Sequence, residues 1–186
     1  MNNKLALLII DLQNDFIIDN SILKVSGINE NISKVNSFIN IMRDKVSLVI
    51  FTRHIFDPKK NPIESKMFPS LKDEGLRDNT FGSEICSGID VKKKDIIIKK
   101  NRYDAFFNTN LDDILEENNI STLIIIGTMT NVCCESTART SMIKDYNVIF
   151  CSDLTFTNNK GLHNATLLNI KSHFGKVMNS EEILNV

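Results

Sequence analysis

Five short apolar runs, separated by amphipathic or polar segments, constrain the fold of this 186-residue chain more than any other feature. The run Leu5–Ile10 contains no polar residue. A strand with one wet face alternates polar and apolar residues, whereas a strand covered on both faces stays apolar throughout. This run therefore reads as a buried parallel strand. Further strands are expected at 46–51, 95–99, 123–126 and 148–151. Between 29 and 43, Ile32, Val35, Phe38, Ile39 and Met42 recur at helical spacing. Leu111, Ile114 and Leu115 mark a short helix between the third and fourth strands, and helices are also expected over 135–145 and 162–174. A short strand at Lys176–Met178 and a last turn at Ser180–Leu184 close the chain. Strands alternating with helices predict an α/β class, a three-layer α/β/α sandwich around a mainly parallel sheet. The length suits one domain over residues 1–186.

In such sheets ligands bind beyond the carboxyl ends of the strands. That rule selects Asp11 after the first strand, Lys99 and Lys100 at the end of the third, and Cys133 after the fourth. Cys133 ends the stretch Gly127-Thr128-Met129-Thr130-Asn131-Val132-Cys133, a strand-turn-helix pattern. Unpaired N–H groups and the positive helix end at such a turn favour a thiolate and can hold an oxyanion. The bland alternative is an inert, buried thiol. Asp11 needs a partner at the end of a buried strand. A helix cap or a structural ion pair supplies one without any catalysis. A thiol, a carboxylate and an ammonium at three neighbouring strand ends make a nucleophile, a base and a cation. Lys99 and Lys100 point to opposite faces, so only one can join them.

The remaining composition narrows the partners. The chain is 42% hydrophobic and 24% charged with a formal net charge of -1, so no nucleic-acid footprint is expected. Lys92, Lys93 and Lys94 read as a solvated approach to a strand. No stretch is long enough for a membrane span, and the N-terminus has no signal-peptide pattern. The cysteines are Cys86, Cys133, Cys134 and Cys151. Without a secretory signal they suggest a reduced, cytoplasmic protein, and their spacing fits no zinc pattern. Residues 52–94 hold all three prolines. A segment this long inside a compact domain is expected to be a lid or substrate-facing element, with a short helix near 83–85.

Three motifs carry a family resemblance. They are Leu7-Leu8-Ile9-Ile10-Asp11-Leu12-Gln13-Asn14-Asp15-Phe16, Lys100-Asn101-Arg102-Tyr103 with the residues after it, and Gly127 to Cys133 followed by Glu135-Ser136-Thr137-Ala138-Arg139. In this order they resemble the isochorismatase-like cysteine hydrolases, with their Rossmann-like topology. That family includes nicotinamidases, N-carbamoylsarcosine amidohydrolases and ureidoacrylate amidohydrolases. The resemblance implies Cys133 as nucleophile, Asp11 as base and Lys100 as third member of a triad. It implies a cis peptide between Thr128 and Met129, and an oxyanion hole from the Met129 and Cys133 N–H groups. Gln13, Phe16, Tyr103, Phe106 and Thr128 are expected around the substrate.

The K-x-R-Y spacing selects Lys100 over Lys99, and motif position selects Cys133 over Cys134. Nicotinamidases resemble this chain but carry a D-x-H metal motif, where Thr52-Arg53-His54 stands here. No catalytic metal or other cofactor is therefore expected. The expected activity is cleavage of a small amide or ureido C–N bond through a thioester acyl-enzyme. Alternatives are a metal-dependent nicotinamidase, a catalytically silent binding protein of the same fold, and a Cys133–Cys134 redox pair. The expected partners are a small-molecule substrate and further copies of the chain, as a homodimer or homotetramer, with no nucleic acid and no membrane.

Overall fold

The computed structural model describes residues 4–72 and 74–186. Six strands form one all-parallel sheet: β1 (Leu5–Ile10), β2 (Leu48–His54), β3 (Ile96–Lys100), β4 (Thr122–Thr128), β5 (Asn147–Phe156) and β6 (Lys176–Met178). Their order across the sheet is β3-β2-β1-β4-β5-β6. The strand order reverses between β1 and β4, and in open parallel sheets a crevice opens at that point beyond the carboxyl ends. Asp11 follows β1 and Cys133 follows β4, so both stand at this crevice.

The sheet carries helices on both faces, as the continuous apolar runs require. Leu7 and Ile9 of β1 enter one core together with α2 (Ile28–Met42) and α7 (Ser180–Leu184). Ala6, Leu8 and Ile10 enter the other with α4 (Leu111–Glu117), α5 (Glu135–Ile143) and the end of α6 (Lys160–Asn169). Alternate residues of one strand thus fill two separate cores. α2 buries Ile28, Val35, Phe38, Ile39 and Met42, each stabilising the core by about 2 kcal/mol. Beyond its end, Arg43 forms a bidentate pair with buried Asp95 and also donates to the Asp90 carbonyl at 2.7 Å. This pair fastens α2 to the chain entering β3.

Three of the expected strands run further than their apolar cores. β2 continues through Thr52, Arg53 and His54 because these pair with Ile98, Lys99 and Lys100 of β3. β4 continues to Thr128. β5 extends to Phe156, since after a register shift Thr155 and Phe156 rejoin Gly127 and Thr128. The expected helix over 162–174 is α6 followed by a widened turn, Ile170–Phe174. The segment 52–94 is structured too. It contains α3 (Pro62–Met67) and 3₁₀ turns at Pro69–Lys72 and Phe81–Ser83, the latter two residues before the expected helix. Its end is tied back by an antiparallel bridge between Ile85 and Gln13. Among the described residues no helix is long and apolar enough to cross a membrane.

Gly127 fixes how closely β4 approaches β1. Its φ is +118°, and a Cβ there would lie 2.1 Å from the Ile10 carbonyl oxygen. Neither the conformation nor the space admits a side chain. We expect Gly127→Ala to cost about 3 kcal/mol or more, from strain and overlap together. Thermal unfolding measures this, and a melting midpoint within about 2 °C of the parent contradicts it.

Candidate active site

Asp11 leaves β1 in a left-handed conformation, φ 50°, which turns its carboxylate back over the strand ends. Thr52 of β2 holds it twice. The Thr52 hydroxyl donates to Oδ1 at 2.6 Å and accepts the Asp11 backbone N–H at 3.1 Å. Lys100, the last residue of β3, brings Nζ to 2.6 Å from Oδ2, with both side chains wholly buried. Nζ also donates to the Arg102 carbonyl at 3.0 Å. Its neighbour Lys99 points outward to Asp78 at 2.7 Å, as strand alternation requires. Burial by itself pulls an ammonium's pKa down, but Asp11 and Cys133 outweigh it and hold Lys100 above its ordinary value. Lys100 therefore stays charged.

Cys133 sits in a widened turn, Thr130–Cys134, that precedes α5. The Met129 carbonyl accepts the amides of both Val132 and Cys134 at 3.1 Å. The peptide between Thr128 and Met129 is cis. The Cys133 thiol does not have the lowered pKa that its place before a helix suggests. Burial pushes it up, Lys100 opposes this, and Asp11 adds to the rise. Desolvation exceeds the pull of one ammonium, so the resting group is a thiol. Cys134 is wholly buried in the core against α5.

His54 joins these groups. It closes β2 with 2% exposure, and its Nδ1 lies 4.0 Å from Cys133 Sγ. Burial, then the Lys100 and Arg102 charges, hold its pKa well below the ordinary value, so the ring is neutral. Its Nε2 is a buried polar atom without a hydrogen-bond partner. From the sequence, His54 is a weak candidate ligand or the source of a loop or pocket hydrogen bond, with its part in binding left open. The signal was its place two residues past Thr52 on a strand whose end meets the crevice.

Above Cys133 opens a cavity of about 280 Å³. Phe16, Met129 and Tyr103 line it, as does His54, which meets the Tyr103 ring edge-on at 5.9 Å. The 52–94 segment supplies Glu64, Phe68, Ser70, Leu71 and Leu76 to the wall. Three residues expected around the substrate do not line this cavity. Gln13 is wholly buried and spends its amide on the backbone of His54 and Ser83, where it braces the strand end. Phe106 packs in the core, stacked on Tyr146 at 6.0 Å. Thr128 is buried, with its hydroxyl on the Phe156 carbonyl at 3.3 Å.

The metal held by the D-x-H motif of nicotinamidases can be tested against these residues. Among the described residues one set of ligating side chains converges, Asp11, His54 and Cys133, with atoms within 4.8 Å of one another. A divalent ion there would stand beside the Lys100 ammonium, which already occupies Asp11 Oδ2. Thr52, in place of the motif's Asp, offers no anion and gives its hydroxyl to Asp11. This donor set does not fit a metal.

The isochorismatase domain family model matches residues 5–182. The chain is 37% identical to nicotinamidase 3 of Arabidopsis thaliana, over 98% of this chain and 88% of that protein. It is 30% identical to a probable inactive nicotinamidase of the same plant, over 90% of this chain and 88% of that one. Identity to the ureidoacrylate amidohydrolase RutB of Acinetobacter baylyi is 27%, over 97% of this chain and 82% of that protein. The crystal structure of a cysteine hydrolase from Pseudomonas syringae superposes with a TM-score of 0.91 at 25% identity, covering all of this chain and 93% of that one.

Two outcomes test the site's electrostatics. Lys100→Met leaves the Asp11 carboxylate buried without its counter-ion and should lower stability by about 3 kcal/mol in urea unfolding. Adding Asp11→Asn should recover at least about half of that loss, because no unpaired charge remains. Because the resting thiol's pKa is raised, the thiolate fraction at Cys133 should climb with pH throughout the neutral range. Alkylation of Cys133 by iodoacetamide should accelerate steadily from about pH 7 to 9, and a plateau below about pH 8 contradicts this.

Proposed function

Because this chain belongs to the isochorismatase family, we propose that it is a cysteine hydrolase cleaving the C–N bond of small non-peptide amides. The observation that carries this reading is the wholly buried Asp11–Lys100 pair, held beside Cys133, which lines the cavity. Cys133 attacks the carbonyl carbon and its proton passes to Asp11, so the S–C bond forms as the thiol is deprotonated. A thiol with a raised pKa gives up its proton only as attack proceeds, which makes a base within reach necessary. Lys100 keeps its charge and stabilises both the carboxylate and the developing thiolate. The Met129 and Cys133 N–H groups receive the oxyanion. Asp11 then returns the proton to the departing amine, the C–N bond breaks, and a thioester remains. Water activated by the same carboxylate releases the acid.

The relatives named nicotinamidase and ureidoacrylate amidohydrolase support an amide as the bond broken. Nicotinamide stays a candidate substrate through the first, although Thr52 stands in the Asp position of the metal motif. The relative named probable inactive supports a second reading, a binding protein without turnover. Cys133 with Asp11 and Lys100 beside it supports turnover.

Ammonia release across nicotinamide, biuret, N-carbamoyl amino acids and ureidoacrylate analogues tests the proposal. Cys133→Ala should reduce turnover by about a thousandfold or more, since it removes the nucleophile. Cys134→Ala removes a core thiol and should leave activity within about threefold at 25 °C. Equal losses from the two variants contradict the assignment.

A further inference from the structure

The cavity over Cys133 has an electrostatic asymmetry that the hydrolytic chemistry does not use. Of the described residues lining it, Glu64 is the one acidic side chain. His54 is neutral, and neither Lys nor Arg is among the described lining residues. Beside Cys133, Lys100 and Asp11 neutralise each other in an ion pair 2.6 Å long. Arg102 does not line this cavity; it lines an adjoining one on the far side of Glu64 and Tyr103. Its guanidinium donates to the carbonyls of Asn101 at 2.7 Å and Lys60 at 2.5 Å, and it lies 5.8 Å over the Phe107 ring.

Glu64 is held in place rather than left to solvent. The Asn61 amide, from a residue 1% exposed, donates to Glu64 Oε2 at 2.7 Å and to the Asn101 carbonyl at 2.6 Å. The Tyr103 phenol is raised above its ordinary pKa by burial and then by the Glu64 carboxylate beside it. The carboxylate is thus fastened between α3 and the chain after β3, on the wall that a substrate passes. The other buried polar atom free on this wall, His54 Nε2, belongs to a neutral ring and supplies no counter-ion.

We propose that Glu64 is a specificity-determining residue that turns carboxylate-bearing compounds away from Cys133 and restricts the substrate to uncharged amides. An anionic substrate entering this cavity meets a fixed like charge and, among the described lining residues, no cation, and a repulsive element of this kind separates substrates that attractive contacts treat alike. This rests on the proposed function for the word substrate, but the filter itself acts on anything that approaches the thiol. N-Carbamoyl amino acids are disfavoured relative to their methyl esters on this basis.

Iodoacetamide and iodoacetate test it directly, because they differ only in the amide and the carboxylate and both alkylate a thiol with loss of iodide. Rates at Cys133 are read by peptide mass spectrometry and normalised to glutathione under the same conditions. The iodoacetamide-to-iodoacetate ratio should exceed the glutathione ratio by about tenfold or more at low ionic strength, and should contract as salt is raised. Glu64→Gln should contract it by about fivefold or more, whereas Glu64→Asp should retain most of it. A normalised ratio within about threefold of one, or one that neither salt nor Glu64→Gln alters, overturns the proposal. The salt series on the unmodified protein decides the matter if Glu64→Gln does not fold. Lack of Cys133-dependent turnover on every amide removes the hydrolase reading and leaves this readout intact, so the two failures are distinguishable.

Discussion

The wholly buried ion pair between Asp11 and Lys100 is the constraint on which the rest of the site depends. Removing two charges from water costs several kcal/mol per ion, and attraction between them offsets this only with good geometry and further hydrogen bonds. Those bonds are present. Thr52 takes Asp11 Oδ1 and the Arg102 carbonyl takes Lys100 Nζ. Asp11 follows β1, Thr52 lies on β2 and Lys100 ends β3, so the sheet's register sets the pair's geometry. The pairing of His54 with Lys100 keeps the β2 and β3 ends level. The close approach of β1 and β4 at Gly127 brings the cysteine turn to the same edge.

This arrangement stores its charge where Cys133, the proposed nucleophile, has none. Burial keeps Cys133 protonated at rest, and the same burial strengthens the field of Lys100 when the sulfur becomes anionic. A preformed thiolate would interact with the cation equally before and after attack. A thiol that ionises during attack gains the interaction as the transition state forms, which is the difference that accelerates a reaction. Asp11 Oδ1 is bound by Thr52, while Oδ2 accepts no directed hydrogen bond beyond its contact with Lys100.

The sheet was legible in the sequence because strands covered on both faces must be apolar, and Leu5–Ile10 was delimited at both ends on that basis alone. The same criterion stopped short at Thr52, Arg53, His54 and Thr128, which are strand residues with polar side chains. Hydropathy fails where a strand enters a site, since there polar groups are buried on specific partners rather than in apolar contacts. His54 is only a weak candidate in the sequence for this reason. Phe106 shows the converse: an aromatic beside the K-x-R-Y segment suits a core against Tyr146 as well as a pocket wall, and one sequence does not discriminate them. The Cys133 pKa was misjudged because a helix start is visible in sequence, whereas the depth of burial that opposes it is not.

Residues 52–94 resolve into two roles that follow from where they attach. Their first residues complete β2 and fix the Asp11 carboxylate through Thr52. Their middle, from α3 to Leu76, forms much of the cavity wall. The inner part is locked by strand hydrogen bonds and by Gln13, which grips both His54 and Ser83. The outer part carries exposed Ile63, Met67 and Phe68 on short helical turns. Substitutions in the outer part change the wall without disturbing the ion pair, because no described residue there hydrogen-bonds to Asp11 or Lys100. The stretch that holds Asp11 and the stretch that lines the cavity are thus neighbours on one segment with different mechanical support. Glu64, anchored through Asn61 to the chain after β3, ties the outer stretch to the strand ends.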